Sequence, residues 1–368
     1  MHPRIQPPGA VHELTPLALA LALFALPAFA QDEEGCPTDA EMVASMTLDE
    51  LRQYEHSLQN SEMSFEEACK DATDKDEEEA TGSRMHYCVK RTAVYSSANP
   101  ETGTTDSANV TLYDYVSVQQ KGTRWNHRLR VVFEAVEGNA MAGLIVAPEI
   151  FCGSCTEKHQ FEPQTLAGPG TYDFAVAMGL DTEDGKVGEE TQLVLSRFNS
   201  DQSLLQSSAP QLRCDRLSKK NTSGCRFSGY PAVFDVSLSD SETDESAAHI
   251  KVAQEILPGM IGRWNEDPAF RGKALTRLIN EKVNTKNRTE SKRLCAARFP
   301  DQVGTGLNCD EYPFAATNQG ASLVPETSMS VKFILGADNQ KVGGRLGTFL
   351  CNNARVLDGE EFWVKVVD

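Results

Sequence analysis

The chain has 368 residues, a formal net charge of −18, 40% hydrophobic residues and ten cysteines. This apolar content is enough for packed cores, which argues against wholesale disorder, and nothing in the composition suits a fibrous or collagen-like chain. No uninterrupted apolar stretch reaches the roughly 20 residues that a membrane-crossing helix needs, so an integral membrane protein is not expected.

In chain order, residues 17–30 come first. They read LALALALFALPAFA, without a charge, and end in the small-x-small triplet Ala28-Phe29-Ala30. Residues 1–30 are therefore read as a signal peptide cleaved after Ala30, with a secreted or periplasmic destination. All ten cysteines follow that point, an even number that in an oxidising compartment implies up to five disulfides. Nearness suggests Cys152–Cys155, Cys214–Cys225 and Cys295–Cys309, with Cys36–Cys69 stapling a helical hairpin and Cys88 and Cys351 left over. The CGSC stretch at 152–155 reads as a structural clip rather than a redox motif, because no βαβ pattern surrounds it. A zinc site would need a second such pair, and the sequence has none.

Charge then divides the chain. Residues 32–79 hold 17 acidic and three basic residues, so most of the negative charge lies in the segment 31–84. Within it, Thr47 and Glu50 stand at capping-box spacing, with Leu48, Leu51, Tyr54 and Leu58 on one helical face, which predicts a helix. DATDKDEEEATGSR at 71–84 lacks apolar periodicity and reads as a solvated linker. From 85 to 244 the chain alternates, in segments such as NVTLYDYVSV, RLRVVFEAV and YPAVFDVSL separated by Gly, Asn, Asp and Ser; this is the pattern of an antiparallel sandwich or barrel. Such a domain offers a surface for a cell-surface or glycan ligand.

Residues 245–368 form the third part, with 16 basic and 15 acidic residues, and nine of the basic ones fall between Arg271 and Arg298. A cluster of that size attracts polyanions, although a helix with a solvated basic face is the plainer reading. The expected fold class is thus α+β: an N-terminal helical segment, an antiparallel β-sandwich-like middle domain and a small C-terminal α+β domain.

The densest chemistry lies in CDEYPFA at 309–315, followed by Gly320-Ala321-Ser322 and then by ADNQKVGGRLG at 337–347. In an extended segment Asp310 and Glu311 point to opposite faces and so have different jobs. Asp338 sits where an N-cap belongs, which would put Asn339 in the first helical turn, where its amide oxygen can face a divalent cation. Gly343 and Gly344, costly inside a helix, suggest close approach of a backbone or a ligand.

These pieces in this order, together with Ala248-His249-Ile250 upstream and the closing LDGEEFWVKV, resemble the secreted NucA/NucB deoxyribonucleases over roughly the last 120 residues. The resemblance implies a non-specific, metal-dependent endonuclease with a ββα-metal-like site, acting on DNA, with RNA left open as a substrate. It makes Asp310 the general base and Asn339 a metal ligand. Glu311 becomes a catalytic or metal-side carboxylate, and His249 a contact to the phosphate or the leaving group. Arg345, Arg288, Lys292 and Arg293 are the candidates for binding phosphate. Since His249 is the only histidine after residue 244, a histidine zinc centre is impossible there, and oxygen donors favour Mg²⁺ or Mn²⁺. A monomer is expected. The alternative is a non-catalytic extracellular binding protein whose β-sandwich holds the ligand and whose nuclease fold has degenerated.

Overall fold

The computed structural model describes Cys69, Ala72 and residues 81–153, 155, 161–180, 185–187, 189–197, 200–216 and 223–368. The signal peptide and the helix expected around 47–58 lie outside the described residues.

The first part is all β. Its strands are β1 (Thr81–Gly82), β2 (His86–Ala98), β3 (Thr105–Val118), β4 (Arg124–Glu137), β5 (Ile145–Cys152), β6 (Gln164–Thr165), β7 (Gly170–Gly179), β8 (Gly185–Val187), β9 (Glu189–Arg197), β10 (Ser200–Ser208), β11 (Leu212–Arg216) and β12 (Ser223–Phe227). They pair antiparallel in three sheets, ordered β1-β2-β3-β4-β7, β10-β9-β5-β6 and β12-β11-β8. The alternation of Ala108, Val110 and Leu112 along β3 puts every second side chain on one face, where Leu129, Val131, Leu193 and Leu195 complete an apolar layer. The five-stranded sheet therefore packs against the second sheet along one stretch and against the third, through Tyr87, Trp125, Leu212 and Phe227, along another.

The structure departs from three expectations. The end of the supposed linker is structured: Thr81 and Gly82 pair with Cys88 and Tyr87, and Arg84 is buried against Glu360. Cys69 bonds Cys88, not Cys36, so this bridge ties the acidic segment to the sheet instead of closing a helical hairpin. The three short-range pairs, Cys152–Cys155, Cys214–Cys225 and Cys295–Cys309, are present as expected. Cys351, expected to be left over, is also disulfide-bonded, to a partner outside the described residues.

The remainder is mixed: β13 (Val233–Ser237), α1 (Asp244–Ile256), β14 (Leu275–Thr276), α2 (Glu281–Arg298), β15 (Asn308–Tyr312), β16 (Ser330–Ile334), α3 (Gly336–Thr348) and β17 (Glu361–Val367). β17 lies between β13, which runs parallel to it, and β14, which runs antiparallel. Their inward side chains Phe234, Val236, Leu275, Phe362 and Val364 share one core with Ile250 of α1 and with Val342 and Leu346 of α3.

The two parts meet through buried arginines. Arg226 donates to the carbonyls of Asn352 and Asn353 just beyond α3, and Arg355 is clamped on Asp215 at 2.7 Å. Arg213 bridges Asp215 and Glu360 at 3.0 and 2.8 Å. Desolvation holds the Arg226 guanidinium well below its ordinary pKa. Buried charges are tolerated only when paired or hydrogen-bonded in this way, so the β-rich part supplies backbone and charge partners that the C-terminal part needs.

Candidate active site

The site is assembled on the antiparallel hairpin β15–β16, in which Asp310 lies opposite Lys332 and Tyr312 opposite Ser330. The period of two sorts its side chains. Tyr312 joins the core shared with α1 and α3, whereas Cys309, Val331 and Phe333 pack with Leu294 and Cys295 of α2. Asp310 and Glu311 accordingly face different helices.

Asp310 is 6% exposed and meets His249, which α1 presents from the buried side. His249 Nδ1 lies 2.8 Å from Asp310 Oδ2, and its Nε2 lies 2.8 Å from Ser330 Oγ. A carboxylate can only accept, so Nδ1 carries the proton, and with the imidazole neutral the Ser330 hydroxyl donates to Nε2. The imidazole is thereby fixed between two strands of one hairpin. The other oxygen of Asp310, Oδ1, takes no part in this line.

Glu311 is half-buried on the α2 face. Desolvation, helped by the charge of Asp310, pushes its carboxyl up to about 7 against the opposing pull of Arg288, the Ala315 N–H and Lys292. Arg288 and Lys292, one helical turn apart, thus stand near Glu311, and Arg288 is also 3.7 Å from Glu281. Two other expected phosphate contacts are engaged elsewhere. Arg293 is held by Glu290 at 2.8 Å and by Glu326. Arg345 is held by Asp240 at 2.7 Å and by Glu242 at 3.5 Å.

α3 starts two residues before the expected N-cap, with Leu335 as its flanking residue, so Asp338 stands inside the first turn. Its carboxylate caps a different helix, accepting the N–H groups of Glu245 and Ser246 in α1 at 3.0 and 3.1 Å. Asn339 follows, and its Nδ2 donates to the carbonyl of Cys309 at 3.0 Å, which brings this amide to the backbone next to Asp310 and leaves Oδ1 as an acceptor. Gly343, one turn further on, has nothing within 4 Å of where a Cβ would stand. The expected close packing at that position is absent, and the helix instead opens to solvent beside Asn339.

The loop between the strands is tied to α2. Asn287 donates to the Ala315 carbonyl at 2.8 Å and accepts from the N–H of Ser322 at 3.0 Å and from its hydroxyl at 2.6 Å. A Cβ on Gly320 would stand 2.2 Å from the Asn287 amide nitrogen, which explains the glycine of the Gly-Ala-Ser triplet. Tyr312, followed by a cis Pro313, donates to the Ile261 carbonyl at 2.9 Å and accepts from Gln254 at 3.1 Å.

Two residues escaped the sequence reading. Ser330 is the first residue of β16, visible as a site residue only through its bond to His249. Lys332 is exposed and directly across from Asp310, hence on the same face, and the register alone reveals it.

Order of elements and chemistry together describe a strand–strand–helix unit with a buried, imidazole-bound carboxylate and cationic flanks. Residues 271–365 match the family model Deoxyribonuclease NucA/NucB. The C-terminal third is therefore related to NucA/NucB deoxyribonucleases over that segment, while His249, outside it, enters the site through α1. Comparison with curated proteins and with solved structures returned no match.

Proposed function

We propose that the protein is an exported, non-specific endodeoxyribonuclease that cleaves DNA with Mg²⁺ or Mn²⁺, with Asp310 as the general base. One observation carries this reading: within a segment matching a deoxyribonuclease family, the Asp310 carboxylate is locked by His249 while the Asn339 amide reaches the adjoining backbone. His249 orients Asp310 so that Oδ1 faces the attacking water, and Ser330 fixes the imidazole tautomer. His249 thus positions the base, in place of the contact with phosphate or leaving group that resemblance alone implied.

The donor set suits a hard cation. Asn339 Oδ1 is an oxygen donor beside the backbone of Asp310, and Mg²⁺ commonly takes one or two protein oxygens with the rest from water and phosphate. When bound, such an ion polarises the attacking water and neutralises charge developing on the phosphodiester. Glu311, on the opposite face, makes no hydrogen bond to Asn339, so we assign it to tuning the α2 side rather than to holding the ion. Lys332, Arg288 and Lys292 would attract the DNA backbone. The open helix surface at Gly343 leaves room for that backbone beside Asn339.

Export is supported by the four disulfides among the described residues and by the bonded Cys351. No helix among the described residues is long and apolar enough to cross a membrane. The test is digestion of supercoiled plasmid by the purified chain with added Mg²⁺ or Mn²⁺, with and without chelator. Cleavage that requires the ion is expected; cleavage that persists in chelator, or none with either ion, would reject the reading.

A further inference from the structure

In the β-rich part, Cys152 ends β5, and β5 pairs with β9 so that Cys152 lies directly across from Glu189. The two sulfurs and a carboxylate oxygen of Glu189 all lie within 4.8 Å of one another, the only such grouping of three His, Cys, Asp or Glu residues among the described residues. Cys155 and Glu189 are buried, and Cys152 is half-buried next to the exposed Gly153, which gives one sulfur an approach from solvent. A structural clip needs no carboxylate beside it, and this one is kept buried by partners of its own.

Glu189 is also braced from behind. Its Oε1 accepts the Trp125 indole N–H at 2.7 Å, and its Oε2 lies 3.4 Å from His127 Nδ1. The other ring nitrogen of His127 is 2.6 Å from Asp114, which Ser207 holds in turn. His127 is fully buried, and its Nδ1 faces Glu189 Oε2 as an ion-pair partner, which holds that carboxylate in place. Chains of this kind, in which a carboxylate–imidazole pair stands behind a donor group, orient the ligands of metal sites.

We propose that the CGSC turn is a redox-gated zinc site in which Cys152, Cys155 and Glu189 bind one Zn²⁺ once the disulfide is reduced. The gate is a balanced exchange: a dithiol gives up two electrons and two protons, becoming a disulfide, while Cys152–Cys155 becomes two thiols. Binding then releases the two thiol protons as the thiolates take the ion. Two thiolates and a carboxylate converging this closely repel one another unless a cation joins them, and a borderline-soft ion with tetrahedral preference matches two sulfurs and one oxygen, with water in the fourth position. Zn–S bonds of about 2.3 Å require the sulfurs to separate to about 3.8 Å, which a two-residue CxxC loop allows. His127 and Trp125 position Glu189 and are not ligands. The other disulfides among the described residues have no carboxylate in such a grouping.

The experiment uses the full chain, treated with a dithiol and then freed of it without oxygen. Alkylation and peptide mass mapping identify the reduced cysteines, and metal analysis gives the zinc content. The expected result is one zinc per chain with Cys152 and Cys155 reduced and none in the oxidised protein, and Co²⁺ substitution should give a thiolate-to-metal absorption band. Glu189→Gln should weaken zinc binding at least 10-fold. Because Glu189 is buried and that variant can misfold, the pair Cys152→Ala/Cys155→Ala serves as the second arm and should take up no zinc in either redox state. The proposal is overturned if the reduced chain, with those two thiols mapped, binds no zinc. It is equally overturned if the double variant keeps its zinc, if folded Glu189→Gln binds as tightly as the parent, or if this disulfide stays closed until the chain unfolds.

Discussion

Asp338 and Glu245 cap each other's helices. Asp338, in the first turn of α3, accepts the N–H groups of Glu245 and Ser246 at the start of α1, and Glu245 Oε2 returns a bond from the Leu335 N–H that opens α3, at 2.8 Å. The two positive helix ends thus share two carboxylates, which fixes the angle at which α1 delivers His249 and α3 delivers Asn339.

Asp338→Ala should therefore lower stability by about 1–2 kcal/mol, read as a shift of the denaturant midpoint with unchanged slope. An unshifted midpoint would show that the exchanged caps contribute nothing.

His249 and Ser330 should matter through Asp310. His249→Ala is expected to cut kcat about 100-fold with little change in KM, and Ser330→Ala to cut it less. His249→Asn can still donate to Asp310 and should recover part of the loss. Equal damage from His249→Asn and His249→Ala, or a change confined to KM, would contradict an orienting role.

The phosphate-binding candidates divide into two pairs. Arg288→Ala and Lys292→Ala should each weaken DNA binding and lower the salt slope by about one. Arg293→Ala and Arg345→Ala should leave both nearly unchanged, because those guanidinium groups are occupied by Glu290 and Glu326 and by Asp240 and Glu242. Titration of binding against salt separates the two outcomes.

Glu311 should make stability depend on pH in metal-free protein. Its carboxyl is raised from the usual 4.5 to about 7 in the fold, so the native state holds this proton more tightly than the unfolded chain. Its contribution is fully present below about pH 4.5 and is lost as pH rises through about 7. Relative to Glu311→Gln, the parent should lose roughly 2 kcal/mol between pH 4.5 and pH 8, the roughly 3.4 kcal/mol of the full shift being reduced by solvent screening of a half-buried carboxyl, measured by denaturant unfolding in chelator. A pH-independent difference would place Glu311 in a well-solvated setting.

Much of this was legible in the residues, because alternation and local spacing are local properties. The β segments of 85–244 follow the period of two along β3 and β4, and the short-range cysteine pairs follow from nearness. Asp310 and Glu311 diverge because the segment is extended, as expected. What failed depended on the chain meeting itself at long range. Cys69 chose Cys88 over a helical partner because β2 brings Cys88 beside it in a small buried cluster with Tyr115. Asp338 looked like the cap of its own helix because nothing local shows that α1 would present its N–H groups instead. β13 lies within the alternating region yet pairs with β17, since a parallel partner more than a hundred residues away leaves no mark on its sequence. Ser330 and Glu189 were invisible for the same reason, each made significant by a residue on another element.

The central claim is that Asp310 performs the chemistry without being needed to bind DNA, and single-turnover cleavage by Asp310→Asn in Mg²⁺ or Mn²⁺, measured beside its DNA affinity and its unfolding midpoint, tests this most directly. A folded variant that binds DNA like the parent and cleaves it at least 100-fold more slowly is the expected result. Cleavage at the parental rate by that folded variant would contradict it.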